Sequence, residues 1–419
     1  MAILSLAFKS LLNRRFTASL ILLSIALSVA LLLGVERLRV ESRNSFANTI
    51  SGTDLVVGAR SGSINLLLYS VFRIGDATNN ISWKSYQQFA DHKQVKWTIP
   101  ISLGDSHLGY RVMGTNADYF RFYQFGQHRA LEFSEGKPFE QVYQAVLGHE
   151  VAKKLNYRIG QKIIIAHGAG KTSFTLHEDK PFEVVGILKP TGTPVDRTVH
   201  VPLQGIEAIH KGWMQGRKLA GKTVTAEQAL QKDLTPKVIT AFLVGLKSRI
   251  ATFSVQREIN DYRREPLLAI LPGVALQQLW DLMSVAENVL LIISGLVVAV
   301  GLTGMLTVML AGLNERRREM AILRSVGARP AHILLLITGE SLLLSLLGII
   351  TGLVLLYASL VLARPFIENE YGLFLSISLP ASREWLMISL IGISGLIIGL
   401  IPGYRAYRYS LADGLSIRV

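Results

Sequence analysis

Nine histidines and the glycines and acids around them are the residues through which this chain could do chemistry. Eight lie in one stretch: His92, His107, His128, His149, His167, His177, His200 and His210. A zincin needs two histidines four residues apart on one helix with a glutamate after the first. His149-Glu150 opens such a run, but Lys153 stands where the second histidine belongs. No pair has ligand spacing on one helix, so the histidines read as scattered surface or core residues. A metal site assembled by the fold is the alternative. Gly168-Ala169-Gly170-Lys171-Thr172 resembles the close of a phosphate-binding loop. The Walker pattern, however, asks for its first glycine where Ile165 stands, and for a strand before it and a helix after it. The segment joins two strand-like runs and reads as a hairpin turn. Gly58–Gly62 has Arg60 where a nucleophile elbow carries serine. There is no cysteine, which excludes disulfides, thiolate-ligated metal and a thiol nucleophile. The expectation is no catalytic residue, no metal and no cofactor bound by this chain.

The elements that carry these residues follow from hydropathy. Half of the 419 residues are hydrophobic and 18% are charged, below the roughly 25% of an average soluble protein. Four runs are long and apolar enough to cross a bilayer: Thr17–Val35, Val289–Leu313, Ile333–Ala363 and Trp385–Ile401. Thr17–Val35 alone makes about 28 Å of helix. It exceeds the 7–15 residues usual for the apolar core of a signal peptide, has no clear cleavage site, and continues into Glu36-Arg37-Leu38-Arg39. It is read as an uncleaved anchor whose helix runs on out of the membrane. The predicted fold is an α-helical membrane bundle of four transmembrane helices, one plus three. A large mixed α/β extracytoplasmic domain lies between helices 1 and 2.

Charge sets the orientation. Lys9, Arg14 and Arg15 precede the first span, and Arg316, Arg317, Arg318, Arg324 and Arg329 crowd the loop 314–332 against two acids. Arg405, Arg408 and Arg418 face only Asp413 in the tail 402–419. The loop 364–384 has Arg364 and Arg383 against Glu368, Glu370 and Glu384. Short loops rich in Lys and Arg stay in the cytoplasm. The predicted layout is therefore a cytoplasmic 1–16, span 17–35, an extracytoplasmic domain with stalk 36–288, span 289–313 and a cytoplasmic loop 314–332. Span 333–363, an extracytoplasmic loop 364–384, span 385–401 and a cytoplasmic tail 402–419 follow. Although the net charge is +14, residues 36–288 hold 31 basic and 23 acidic residues with no aromatic–basic ladder, so no nucleic-acid site is expected.

In the large domain, strand patterning is read at Gly109–Gly114, Lys162–Ala166, Ser173–Leu176, Phe182–Leu188 and Thr198–Pro202. Helical patterning is read at Trp83–Asp91, Glu150–Leu155 and Ala226–Leu234, with the Gly/Lys-rich stretch 216–222 as a possible break between subdomains. Ala275–Glu287 reads as a helix entering the second span, a rigid lever able to carry tilt or rotation.

Within the spans, small residues recur four apart: Ser24 and Ser28, Gly348 and Gly352, Gly395 and Gly399. They let helix backbones approach, either inside one protomer or in a dimer; Gly295, Gly301 and Gly304 are further candidates. Glu340 is an acid inside the third span, where a carboxylate must face protein or water. A structural contact is the favoured reading and a proton or ion site the alternative. Polar lining for a conduit is otherwise lacking.

The loop 314–332 is far longer than the 2–8 residues that a turn between helices needs. Glu315, Arg316, Arg318, Glu319, Met320, Leu323 and Arg324 fit a short amphipathic helix, acid early, base late, with Gly327 just past its end. A docking surface accounts for it better than a solvated turn. The run Glu315-Arg316-Arg317-Arg318-Glu319-Met320-Ala321-Ile322-Leu323-Arg324-Ser325-Val326-Gly327-Ala328 resembles the signature of FtsX-like/MacB-like permeases, membrane subunits of mechanotransmitting ABC transporters. Arg111–Thr115, Leu147–Ala152, Phe182–Leu188 and Pro402–Arg408 fit the same resemblance, which takes in nearly the whole chain. It implies a permease dimer, with a second copy or a close paralogue, and two cytoplasmic ABC ATPases docked on this loop. With no Walker motif in this chain, ATP and Mg would be bound by a separate ATPase polypeptide. The resemblance also implies the cytoplasmic (inner) membrane and a lipoprotein, peptide or envelope partner outside it. A cell-division-type scaffold that activates a cell-wall hydrolase is the alternative.

Overall fold

The structure, a computed structural model, describes residues 15–47, 49–168, 177–211, 213–214, 217–218, 224–371 and 377–408, without the side chains of 45–47, 213–214, 217–218, 314–315 and 367–371. The predicted strand Ser173–Leu176, the Gly168–Thr172 turn beyond its first glycine, and most of the stretch 216–222 lie outside the described residues. So do Lys9, Arg14, Asp413, Arg418 and the side chain of Glu315. Nine helices matter below: α1 (Arg15–Ala47), α2 (Trp83–Ala90), α3 (His149–Leu155), α4 (Leu203–His210), α5 (Thr252–Asn260), α6 (Pro272–Glu315), α7 (Arg317–Ser325), α8 (Pro330–Tyr371) and α9 (Ser382–Tyr407). The chain forms two compact units.

One unit gathers Met1–Glu41, Ser284–Glu368 and Leu375–Val419. It holds the apolar parts of α1, α6, α8 and α9, four helices long and apolar enough to cross a membrane. On α1, Ile21, Ile25, Val29 and Leu33 recur every fourth residue and pack on Leu302 and Met305 of α6, Leu344, Ile349 and Leu356 of α8, and Ile388 and Ile391 of α9. The opposite stripe, Leu20, Leu23, Leu27 and Leu31, stays exposed, as a lipid-facing surface must.

The other unit, Ser42–Met283 with Asn369–Phe374, is built on an 11-stranded mixed sheet. Its strands are β1 (Leu55–Ala59), β2 (Val95–His107), β3 (Tyr110–Thr115), β4 (Phe133–Gly136), β5 (Gln144–Leu147), β6 (Lys162–Ile163), β7 (Ala166–His167), β8 (Phe182–Leu188), β9 (Thr198–Pro202), β10 (Ala241–Leu246) and β11 (Leu267–Ile270). The order is β11-β1-β10-β2-β3-β9-β5-β8-β4, with β7 on β2 and β6 on β8. The first four strands pair antiparallel, while β3–β9 and β5–β8 are parallel. Because the strands on both sides of 216–222 join one continuous sheet, the expected subdomain break there is corrected.

Strands β1 and β10 are buried at every residue. Val56, Ala241 and Leu243 face one core, and Leu55, Val57, Phe242 and Val244 face the other, which α2 and α5 cover through Tyr86, Phe89, Val255 and Ile259. A strand covered on both faces carries no apolar–polar alternation. That is why these two strands, unlike β3 and β8, show no alternation; β9 is buried as completely but keeps one because Thr198 and His200 stand between its valines.

Candidate coupling site

The loop between α6 and α8 is occupied by α7. Glu319 lies in its first turn and Arg324 in its last, which suits the helix dipole. It ends in a Schellman motif. The Ala328 N–H donates to the Leu323 carbonyl at 3.0 Å and the Gly327 N–H to the Arg324 carbonyl at 3.0 Å, with Gly327 at φ +102°. Only glycine takes that backbone cheaply. Met320 is buried in a small cluster with Leu313 of α6, Ile333 and Ile337 of α8 and Ala406 of α9, so α7 is pinned to three of the four long helices. Leu323 is half-buried, while Arg318, Ile322 (53% exposed) and Val326 (84% exposed) leave a surface free of the bundle.

Arg316, between α6 and α7, turns inward. Its Nη1 donates to Oε2 of Glu340 at 2.6 Å, and both residues are buried. Nε of Arg316 also lies 3.5 Å from Glu319. The intramembrane acid is thus half of an ion pair that ties the start of α7 to α8. A buried pair of this kind is costly to break from one side.

The small residues are packed within this one chain. A Cβ at Gly348 would meet Ile25 Cγ2 at 2.6 Å, and one at Gly352 would meet the Ala26 carbonyl at 2.8 Å, both on α1. Gly395 and Gly399 of α9 abut the hydroxyls of Ser345 and Ser341 on α8. Ser24 and Ser28 of α1 face Gly301 of α6, and Ser28 Oγ donates to the Ser24 carbonyl at 2.8 Å. A Cβ at Gly295 or Gly304 would meet nothing within 4 Å among the described residues beyond its own helix, so these two do not share that packing role.

At the other end of the bundle lies a network that patterning missed. Arg37 Nε is 2.9 Å from Glu384 Oε1, and its Nη2 reaches Tyr357 Oη at 2.9 Å and the Ser378 carbonyl at 2.6 Å. Arg39 bonds Glu287 at 2.7 Å, and Glu36 accepts from Arg39 through Oε2 while its Oε1 forms an ion pair with Arg383 at 3.2 Å. These contacts join α1, α6, α8 and α9. Tyr357 and Glu340 stand seventeen residues apart on α8, about 26 Å along its axis, so the two polar clusters bracket the apolar layer. Read along the chain, Glu36–Arg39 showed only a helix leaving the membrane; its partners lie hundreds of residues away.

The histidines differ from the scattered set expected. His200 is fully buried against Tyr119 and Phe120, and burial holds its pKa down at about 3. His107 is engaged through both nitrogens, by the Ile164 carbonyl and the Tyr157 hydroxyl. His92 sits against Glu258 and His128 against Gln124, while His149 opens α3. His167, His177 and His210, however, come together, which corrects the scattered reading for these three.

Residues 17–262 match the family described as MacB-like periplasmic core domain, and residues 291–411 the FtsX-like permease C-terminal family. The pyoverdine export ATP-binding/permease protein PvdT of Pseudomonas syringae pv. syringae is 23% identical over 346 residues, covering 77% of this chain and 46% of that protein. The macrolide export ATP-binding/permease protein MacB of Azoarcus sp. is 26% identical over 245 residues, covering 56% and 33%. The chain thus spans less than half the length of these relatives. The periplasmic region of MacB from Actinobacillus actinomycetemcomitans aligns with 12% identity and a TM-score of 0.34, over 55% of this chain and 94% of that one. Since the core-domain match alone takes in more than half of the residues and the second accounts for the remaining three spans, this chain belongs to the FtsX-like/MacB-like permeases, membrane subunits of ABC transporters.

Proposed function

We propose that this permease couples ATP hydrolysis by an ATPase on a separate polypeptide to movement of its sheet domain. The ATPase would dock on α7. The observation that carries this reading is the construction of α7: exposed Ile322, Val326 and Arg318 on one side, buried Met320 and the neighbouring Arg316–Glu340 pair on the other. A push on α7 is delivered to α6, α8 and α9 together, because the contacts that would absorb it are rigid packing and a short ion pair. The positive-inside pattern puts α7 and both termini in the cytoplasm and the sheet domain outside the cytoplasmic membrane. The permease would work as a dimer, with a second copy or a close paralogue. ATP and Mg would belong to the ATPase. The work would be done on a lipoprotein, peptide or envelope partner outside the membrane, without a solute crossing the bundle.

The test is to replace Glu315, Arg318 and Glu319 together by Ala and to co-purify the permease with its ATPase. Charge-assisted contacts at the docking helix would be lost, so recovery of the ATPase and its permease-stimulated hydrolysis should both fall. Unchanged recovery together with unchanged hydrolysis would remove α7 from the coupling role. Capture of a cell-wall hydrolase in place of a transport partner would favour the signalling alternative.

A further inference from the structure

The sheet domain carries chemistry that coupling does not use. Strand β7 pairs antiparallel with β2, setting His167 opposite Asp105. His167 Nδ1 lies 3.0 Å from Asp105 Oδ1. Helix α4 ends at His210, whose Nδ1 lies 2.8 Å from the Ile206 carbonyl one turn back. A carbonyl only accepts, so Nδ1 carries the proton and the lone pair is left on Nε2. That Nε2 stands 3.4 Å from His167 Nδ1 and 3.8 Å from Asp105 Oδ1. His177 completes the group. Its ring centre is 5.3 Å from that of His210 and nearly perpendicular to it, and the ligand nitrogens of the three histidines lie within 4.8 Å of one another.

The separations among Asp105, His167 and His210 are close to those of a coordination shell. Ligands about 2.05 Å from a tetrahedral ion stand about 3.3 Å apart. The triangle of Asp105 Oδ1, His167 Nδ1 and His210 Nε2, with edges of 3.0, 3.4 and 3.8 Å, has the size of one face of that tetrahedron, and His177 brings a ring nitrogen within 4.8 Å of those of the other two histidines. Asp105 and His177 are buried, while the side chains of His167 and His210 are 47% and 34% exposed, so the site has a solid floor and an open mouth. The nearby buried ammonium of Lys180 is balanced by Asp179 at 3.0 Å.

We propose that Asp105, His167, His177 and His210 form a four-ligand site for a borderline transition-metal dication, zinc first. Three imidazoles and one carboxylate suit that class of ion, and they are too nitrogen-rich for calcium or magnesium. Bound metal takes the place of the proton held between His167 and Asp105. It ties β2, β7, α4 and the chain at His177 to one point.

The test uses the full chain in detergent micelles, with any histidine tag removed, stripped with chelator and titrated with Zn²⁺ against a chromophoric competitor. One zinc per chain is expected. The His167→Gln/His210→Gln double variant, altered only at the part-exposed mouth, should bind at least about 100-fold more weakly. A His92→Gln/His128→Gln double variant should bind as the parent does. Co²⁺ in place of zinc should give the intense visible absorption of four-coordinate cobalt, and Asp105→Asn should abolish it. Absence of stoichiometric zinc in the parent, or full zinc affinity in the His167/His210 variant, overturns the site. If Asp105→Asn does not fold, the parent cobalt spectrum decides, since the weak absorption of six-coordinate cobalt also overturns it.

Discussion

Arg316 and Glu340 are each other's answer to burial. Neither charge is tolerable alone in an apolar layer, and at 2.6 Å each supplies the other's missing partner. Glu340→Ala should therefore destabilise the solubilised permease by about 3 kcal/mol, because it leaves Arg316 buried and uncompensated. The double change Arg316→Met/Glu340→Leu should cost clearly less. Unfolding of all three proteins in one detergent measures this, and a double variant worse than the single one would mean that the pair itself is stabilising. In the sheet domain, His200 makes a pH-dependent contribution of definite sign. Its folded-state pKa of about 3 lies below the ordinary value of 6.5, so the unfolded chain takes up a proton that the folded chain refuses. Its contribution is complete above pH 6.5 and falls by up to roughly 1.4 kcal/mol per pH unit as the pH drops toward 3. His200→Gln should flatten that limb of the stability–pH curve, and an unchanged slope would assign the acid sensitivity to other groups.

At the level of helices, α1 and α8 approach because Gly348 and Gly352 leave room for Ile25, Ala26 and Val29. Lipid is as apolar as a leucine side chain, so close packing rather than escape from water holds such helices together. Gly348→Leu should force Ile25 and the α1 backbone away, at a cost of about 1–3 kcal/mol. A Cβ at Gly304 would meet nothing within 4 Å among the described residues, so Gly304→Leu should leave thermal unfolding unchanged. Equal losses in the two variants would contradict the bundle. Helix α7 is different in kind: nine residues form too short a helix to stand alone in water, and its position comes from Met320 beneath it and from the Gly327 cap behind it.

For the molecule as a whole, the two polar clusters about 26 Å apart define the apolar layer. Which cluster lies inside the cell is a matter of loop charge. A reporter enzyme fused after Arg43 or within 364–384 is expected to report the outer side, and one within 314–330 the cytoplasm. An inside signal from a fusion at residue 150 would invert the reading. The energetic reason is that translocating the arginines at 316–318, 324 and 329 is far costlier than translocating the nearly balanced loop 364–384.

Much of this architecture was legible in one dimension. Four apolar runs, the charge asymmetry of the loops and the α7 signature with its glycine stop are local properties, set by transfer free energy, loop charge and backbone preference, and they need no partner to be recognised. Strands β3, β8 and β9 were readable for the same reason, since each keeps a patterned run. What the sequence left open depended on partners far away along the chain. Strands β1 and β10 hide because burial on both faces erases the period of two. Arg37 finds Glu384 across 347 positions, turning what read as an exposed helix extension into the join of four helices. Glu340, with several readings in the sequence, acquired one when Arg316 folded back on it. Asp105 stands in no motif, and His167, His177 and His210 lack any ligand spacing; strand pairing and the end of α4 bring the three histidines together with Asp105 against His167. Spacing along a chain reports a site only when one element holds all its ligands, and here the ligands come from four separate places.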